Sequence, residues 1–171
     1  MRVALVQEQI DLRRGGAETA TIEMAQHLAQ LGLEVTVLCR QDAQPPPDLP
    51  DVHFVAVATR GLTRIGQTYR YLQAVSALCR RQRFDIVHAI TPCLNANVYQ
   101  PRGGTYRETI ERTLALTPSP MARSVRRVGR LFNLRQRFLL RLEAYLLGKY
   151  GQRIMVAAIS DYVRNQVLAH P

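Results

Sequence analysis

Three short segments of the 171-residue chain carry side chains and backbone suited to a phosphorylated or sugar ligand. The pair Gly15-Gly16 stands between an apolar run and a stretch of helical spacing. Backbone free of side chains there lets amide groups and the positive end of a helix approach a phosphate; a plain tight turn is the alternative. Arg102-Gly103-Gly104-Thr105 offers a cation, flexible amides and a hydroxyl, which suit phosphate or sugar hydroxyls, or else form a basic surface loop. Ser160-Asp161 is the third segment. His88 lies on an apolar run, as a satisfied strand-end histidine or as one that faces a ligand, and Asp11 is either a loop aspartate or a carboxylate near a cleft. His27 and His53 are expected to be structural, and Cys93, after Pro92, has no base beside it to make it a nucleophile. The known phosphate motifs are missing: there is no G-x-x-x-x-G-K-[ST] and no G-x-G-x-x-G after the first apolar run. The first absence disfavours a P-loop NTPase, and because the second run ends in Cys39-Arg40 with no acidic residue for a ribose, an NAD dehydrogenase stays only an alternative. Cys39, Cys79 and Cys93 are odd in number with no C-x-x-C spacing, so neither a disulfide framework nor a metal site is expected.

The elements that must position these residues follow from periodicity. Residues 2–7 (Arg-Val-Ala-Leu-Val-Gln) read as a strand buried on both faces. Ala17, Ala20, Met24, Leu28 and Leu31 then recur at helical spacing before the stop at Gly32. Residues 33–39 form the next strand, and Pro45-Pro46-Pro47 must be loop. The pattern repeats with a strand over 52–57, a helix burying Ile65, Tyr69, Leu72, Val75 and Cys79, and a strand over 84–90. Such alternation predicts an α/β domain, a Rossmann-like parallel sheet with helices on both faces. Beyond it come a short strand over 97–100, a break at Thr117-Pro118-Ser119-Pro120, one helix over 121–147, a strand over 153–159 and a last helix capped by Ser160 or Asp161. In open parallel sheets ligands bind beyond the carboxyl ends of the strands, which selects the loops 11–17, 91–105 and 160–161.

The charge is uneven. Lys and Arg number 23 against 13 Asp and Glu, a net charge of +10, and residues 121–153 supply nine of the cations against Glu143 alone. On one continuous helix, Arg123, Arg126, Arg127, Arg130, Arg137 and Arg141 share an arc opposite Val125, Val128, Phe132, Leu139, Leu142 and Leu146. Its apolar face would pack on the sheet and its arginines would meet solvent, anionic phospholipid headgroups or nucleic acid. Aromatic residues make up 6% of the chain and Trp is absent, so no stacking platform favours nucleic acid. No apolar run is long enough to span a bilayer, and no signal peptide opens the chain, so a cytoplasmic location is expected. With 47% hydrophobic and 21% charged residues the length suits one globular domain.

Four segments, taken in order, resemble the family 4 glycosyltransferases: Arg14-Gly15-Gly16-Ala17-Glu18, residues 31–38, Phe84-Asp85-Ile86-Val87-His88-Ala89, and residues 156–163. Leu142-Glu143-Ala144-Tyr145 is similar to the subgroup that glucosylates the lipopolysaccharide core. The resemblance covers essentially the whole chain as the amino-terminal, acceptor-side half of a two-domain GT-B enzyme. It implies transfer of a sugar from a nucleotide sugar, a UDP- or GDP-sugar, to an acceptor hydroxyl with retention, without a metal or other cofactor. The acceptor class would be a lipid-linked, lipopolysaccharide or other glycan. By the same resemblance Gly15 and Gly16 approach the donor diphosphate, and Glu18 shapes the cleft floor. Arg13, Arg14, His88, Thr91, Arg102, Gly103, Gly104, Thr105 and Ser160 border the acceptor. Where relatives carry a His at the end of the short strand, this chain reads Tyr99-Gln100-Pro101-Arg102, which puts Gln100 in the catalytic place. The carboxyl-terminal half is expected to lie beyond Pro171, so the 171 residues alone would not turn over. A stand-alone basic α/β module for anionic lipid or nucleic acid is the alternative.

Overall fold

The computed structural model describes residues 1–11, 15–40, 49–57, 59, 61–131, 133–148 and 154–169, with backbone only at 127 and 131. Arg13, Arg14, Phe132 and the three prolines at 45–47 lie outside the described residues, as does the side chain of Arg127. Six parallel strands form one sheet: β1 (Arg2–Val6), β2 (Glu34–Arg40), β3 (Val52–Val57), β4 (Ile86–Ala89), β5 (Val98–Tyr99) and β6 (Met155–Val156). Their order is β3-β2-β1-β4-β5-β6, so the chain builds one flank, returns to the centre and builds the other.

Side-chain alternation along β1 sorts the core into two layers. Val3 and Leu5 pack with Val35, Val37 and Cys39 under α1 (Gly16–Gln30), which contributes Ile22 and Ala25. Ala4 and Val6 pack on the other face with Leu38, Val87 and Ala89, covered by α2 (Arg64–Gln82) and α5 (Leu134–Leu147) through Tyr71, Val75, Leu142 and Leu146. The expected doubly covered parallel sheet is therefore present. Gly32 ends α1 as predicted: at φ 79 it occupies the left-handed region, and the amides of Gly32 and Leu33 donate to Ala29 and Leu28.

Several expectations need correction. The buried stripe of α1 is turned toward Thr21, Ile22 and Ala25, with Met24 and Leu28 at its margin and Leu31 exposed. On α2, Thr68 and Tyr71 are buried where Tyr69 was expected, because Thr68 serves a polar cluster under the sheet edge. A helix not foreseen, α3 (Tyr106–Ala115), follows Thr105, whose Oγ1 accepts from the Glu108 amide in a Thr-x-x-Glu capping arrangement. The single helix over 121–147 is two, α4 (Pro120–Leu131) and α5, the second capped by Asn133 Oδ1 on the Gln136 amide. The strand expected over 153–159 shrinks to Met155–Val156, because its neighbour β5 offers only two residues to pair with. Finally, α6 (Asp161–Leu168) is capped by Ser160, as the sequence suggested.

Candidate functional site

The carboxyl edge of the sheet collects most of the singled-out residues, on two sides. On the side of α1, Gln7 continues the β1 face of Val3 and Leu5, and His88 shares that face through its pairing with Leu5. Both are mostly buried, and among the described residues Gln7 Oε1 and His88 Nε2 have no hydrogen-bond partner. Burial lowers the pKa of His88, a polar contact with Gln100 works against that, and Arg102 adds to the lowering; the ring is held neutral. Buried polar atoms without partners mark places where a ligand or water completes the bonding.

The start of α1 is joined to this edge through Arg102 and Gln100. Gly15 is its N-cap and supplies no side-chain bond to the first-turn amides, whereas Thr63, Thr105, Asn133 and Ser160 cap α2, α3, α5 and α6. Neither glycine is demanded by the backbone. Gly15 has an extended φ of 165, and a Cβ built on Gly16 meets nothing within 4 Å. The fold would accept larger residues here, so the bare backbone keeps space for something outside the chain.

Arg102 joins this corner together. Its guanidinium donates to the Ala17 carbonyl at 3.0 Å and the Ala20 carbonyl at 3.3 Å, while Nε donates to Gln100 Oε1 at 3.2 Å. The cation expected on a basic surface loop is thus spent in clipping that loop to α1. Gly103 and Gly104 turn the chain into α3; Gly104 has φ 85, and a Cβ there would fall 2.6 Å from Gln166 Oε1 on α6. The same Gln166 oxygen accepts from the Thr105 amide at 3.2 Å. Thr105 is buried with its Oγ1 turned to the helix cap, and Ser160 Oγ to the cap of α6. Glu18, in the first turn of α1, approaches Gly15. Thr91 Oγ1 accepts from the Glu8 amide at 2.9 Å, on the way to the second side.

That second side was missed. Glu8, the residue after Gln7, is 4% exposed and receives Thr68 Oγ1 and an Arg135 nitrogen, each at 2.8 Å, with Arg40 at 3.6 Å. Glu143, fully buried, accepts from the Tyr99 hydroxyl and the Tyr106 amide, each at 2.6 Å. Burial first, then the Glu143 charge, raises the Tyr99 phenol well above its ordinary value and keeps it a donor. A carboxylate placed one residue beyond an apolar strand end was the available signal for Glu8. The Leu142-Glu143-Ala144-Tyr145 resemblance drew attention to Glu143, but its spacing alone does not foretell that the carboxylate is buried.

The arginines of 121–147 do not form one stripe. Arg123 and Arg126 reach Thr117, Arg130 reaches the Ile110 carbonyl, and Arg137 and Arg141 are exposed on α5. Leu139, Leu142 and Leu146 pack inward as expected, but Val125 and Val128 are 66% and 55% exposed, so the apolar face of α4 is not on the sheet. Among the described residues no helix is long and apolar enough to cross a membrane. Cys39, Cys79 and Cys93 are buried and form no disulfide with one another, and burial pushes the Cys93 thiol up to about 12, which removes thiolate chemistry there.

The sequence profile of Glycosyltransferase Family 4 matches residues 14–171. The chain belongs to glycosyltransferase family 4. Two solved structures share its fold. WaaG, a glycosyltransferase involved in lipopolysaccharide biosynthesis, superposes with a TM-score of 0.76 at 17% identity, covering 98% of this chain and 41% of that one. Sucrose-phosphate synthase from Thermosynechococcus elongatus gives 0.55 at 14% identity, covering 92% of this chain and 47% of that one. No curated protein matches by sequence. This family 4 chain therefore spans less than half the length of either structure it resembles.

Proposed function

We propose that this family 4 chain forms the acceptor side of a retaining glycosyltransferase that takes its sugar from a UDP- or GDP-sugar without a metal. The side-chain-free, uncapped start of α1, together with the Gln7 and His88 atoms that no described residue partners, carries the reading. The diphosphate of the donor meets the first-turn amides at Gly15 and Gly16, where an anion is favoured by the helix end. Gln100 and neutral His88 border the reacting carbon, with Glu18 and Thr91 beside them, and Arg102 positions Gln100 rather than touching phosphate. Catalysis requires residues beyond this chain to grip the nucleotide.

The acceptor in this reading is a lipid-linked or lipopolysaccharide-type glycan presented at the cytoplasmic membrane face. The exposed Met121, Val125 and Val128 on α4, flanked by Arg123, Arg126, Arg127 and Arg130, suit insertion among anionic headgroups, with Arg137 and Arg141 adding charge on α5. Gly16→Val tests the donor corner. In the complete protein it should leave the melting temperature within a degree or two and abolish sugar transfer from the labelled donor. Transfer at the normal rate would remove the α1 corner from the mechanism.

A further inference from the structure

Beyond the α1 corner, a cavity of about 230 Å³ opens between α2, α3 and α5, lined by Arg64, Arg130, Arg135, Tyr106, Asn133 and Gln136 among others. Three arginines line it, and among the described residues no Asp or Glu does. Arg64 is the first residue of α2, and the N-cap Asn133 with Arg135 and Gln136 opens α5, so the amino-terminal ends of two helices border the cavity. Arg135 is anchored by Glu8 and Thr68, and Arg130 by the Ile110 carbonyl, which fixes both guanidiniums in place. Arg64 is exposed, and no hydrogen bond or ion pair holds it among the described residues. Glu8 offsets the charge of Arg135, which leaves Arg64 and Arg130 with no carboxylate partner among the described residues, and an anion between them would offset their mutual repulsion. The volume is below the roughly 300–1,000 Å³ of pockets that enclose a drug-sized ligand, so it suits one charged group of a larger molecule.

We propose that this cavity binds a phosphate group carried by the acceptor, with the Arg64 fork closing on it from α2 and Arg130 and Arg135 holding it from the opposite wall. The inference rests on the acceptor-side reading for whose phosphate it is, and on the cavity alone for the chemistry. Burial pushes the Tyr106 phenol up to about 12, so it stays a hydrogen-bond donor toward an anion. A planar guanidinium matches two phosphate oxygens at once, which a lysine cannot do.

The test is calorimetric titration of the complete protein, wild type and variants, with glycerol 3-phosphate and, separately, with vesicles of phosphatidylglycerol. Gly16→Val serves as background to silence the α1 corner. Saturable binding of the soluble phosphate that falls at least tenfold in Arg64→Gln and in Arg130→Gln, and is only partly restored by Arg64→Lys, supports the cavity. Arg64-dependent binding of the vesicles alone supports it with a lipid headgroup as the source of the phosphate. Binding of either probe that is unchanged by Arg64→Gln, or no binding of either, overturns it. Because these titrations need no sugar transfer, loss of the transferase reading would show in the donor assay and leave this result readable on its own.

Discussion

From β1 to β4 the molecule is joined by apolar surface and long strand register; from β5 onward the register is short, and buried polar bonds supplement the apolar packing of α5. In the first region Val3, Leu5, Val35 and Val37 are fully or nearly fully buried, and every paired strand carries four or more aligned residues. In the second region β5 and β6 share two residue pairs, and α3 buries no residue of its own. Leu142 and Leu146 seat α5 on the sheet, and two polar clasps, Glu143 between Tyr99 and Tyr106 and Arg135 on Glu8 and Thr68, tie α3 and α5 to the strands and α2. Apolar burial is additive and forgiving, whereas a buried carboxylate clasp fails when one partner is lost.

Glu143→Ala is the sharpest way to break this contrast. It strips a buried phenol and a helix amide of their acceptor and should cost about 2–5 kcal/mol, taking about 1–3 kcal/mol per orphaned group with a cavity term added. Hydrogen exchange should rise across α3 and α5 while β1, β2 and β4 stay protected. Equal loss of protection everywhere would mean that the two regions unfold as one. A smaller effect is expected at His88, where the regions meet. Its pKa lies below the ordinary 6.5 in the folded chain, so between those two values the unfolded chain binds the extra proton. Stability therefore falls as pH drops through 6.5, by at most about 1.4 kcal/mol per pH unit. His88→Gln should flatten that part of a melting-temperature profile between pH 7 and 5.5, and an unaltered profile would place the proton uptake elsewhere. The smallest expected change in stability is that of Val125→Asp with Val128→Asp. Both sites are exposed, so unfolding in urea should shift by less than about 0.5 kcal/mol each. Sedimentation with phosphatidylglycerol vesicles should nevertheless drop, and unchanged sedimentation would detach α4 from the membrane reading.

The same contrast explains what was legible in the sequence. Runs such as Val3-Ala4-Leu5-Val6 and Val35-Thr36-Val37-Leu38 declare buried strands because burial on both faces leaves a composition that nothing else produces. The Gly15-Gly16 start of α1 was visible for the same reason, as an interruption in a regular pattern. The clasps of Glu8, Glu143 and Arg135 were not, since each is made with a partner more than thirty residues away. The break between α4 and α5 was signalled only by Gly129 and Asn133, residues that disfavour helix interiors. Arginines at helical spacing continue across Asn133, and the cap that its side chain makes reveals the new helix. Thr105 and Glu108 did carry a local capping signature, which was passed over because the loop before them looked like a ligand site.

Arg102 ties the first turns of α1 to the side chain of Gln100 by three hydrogen bonds. The donor corner and the reacting corner are therefore one mechanical unit: a ligand that pulls on the amides at Gly16 also sets the pose of Gln100. The energetic effects of changing Gly16 and Gln100 are not independent while that guanidinium stands between them, and they become independent once it is removed.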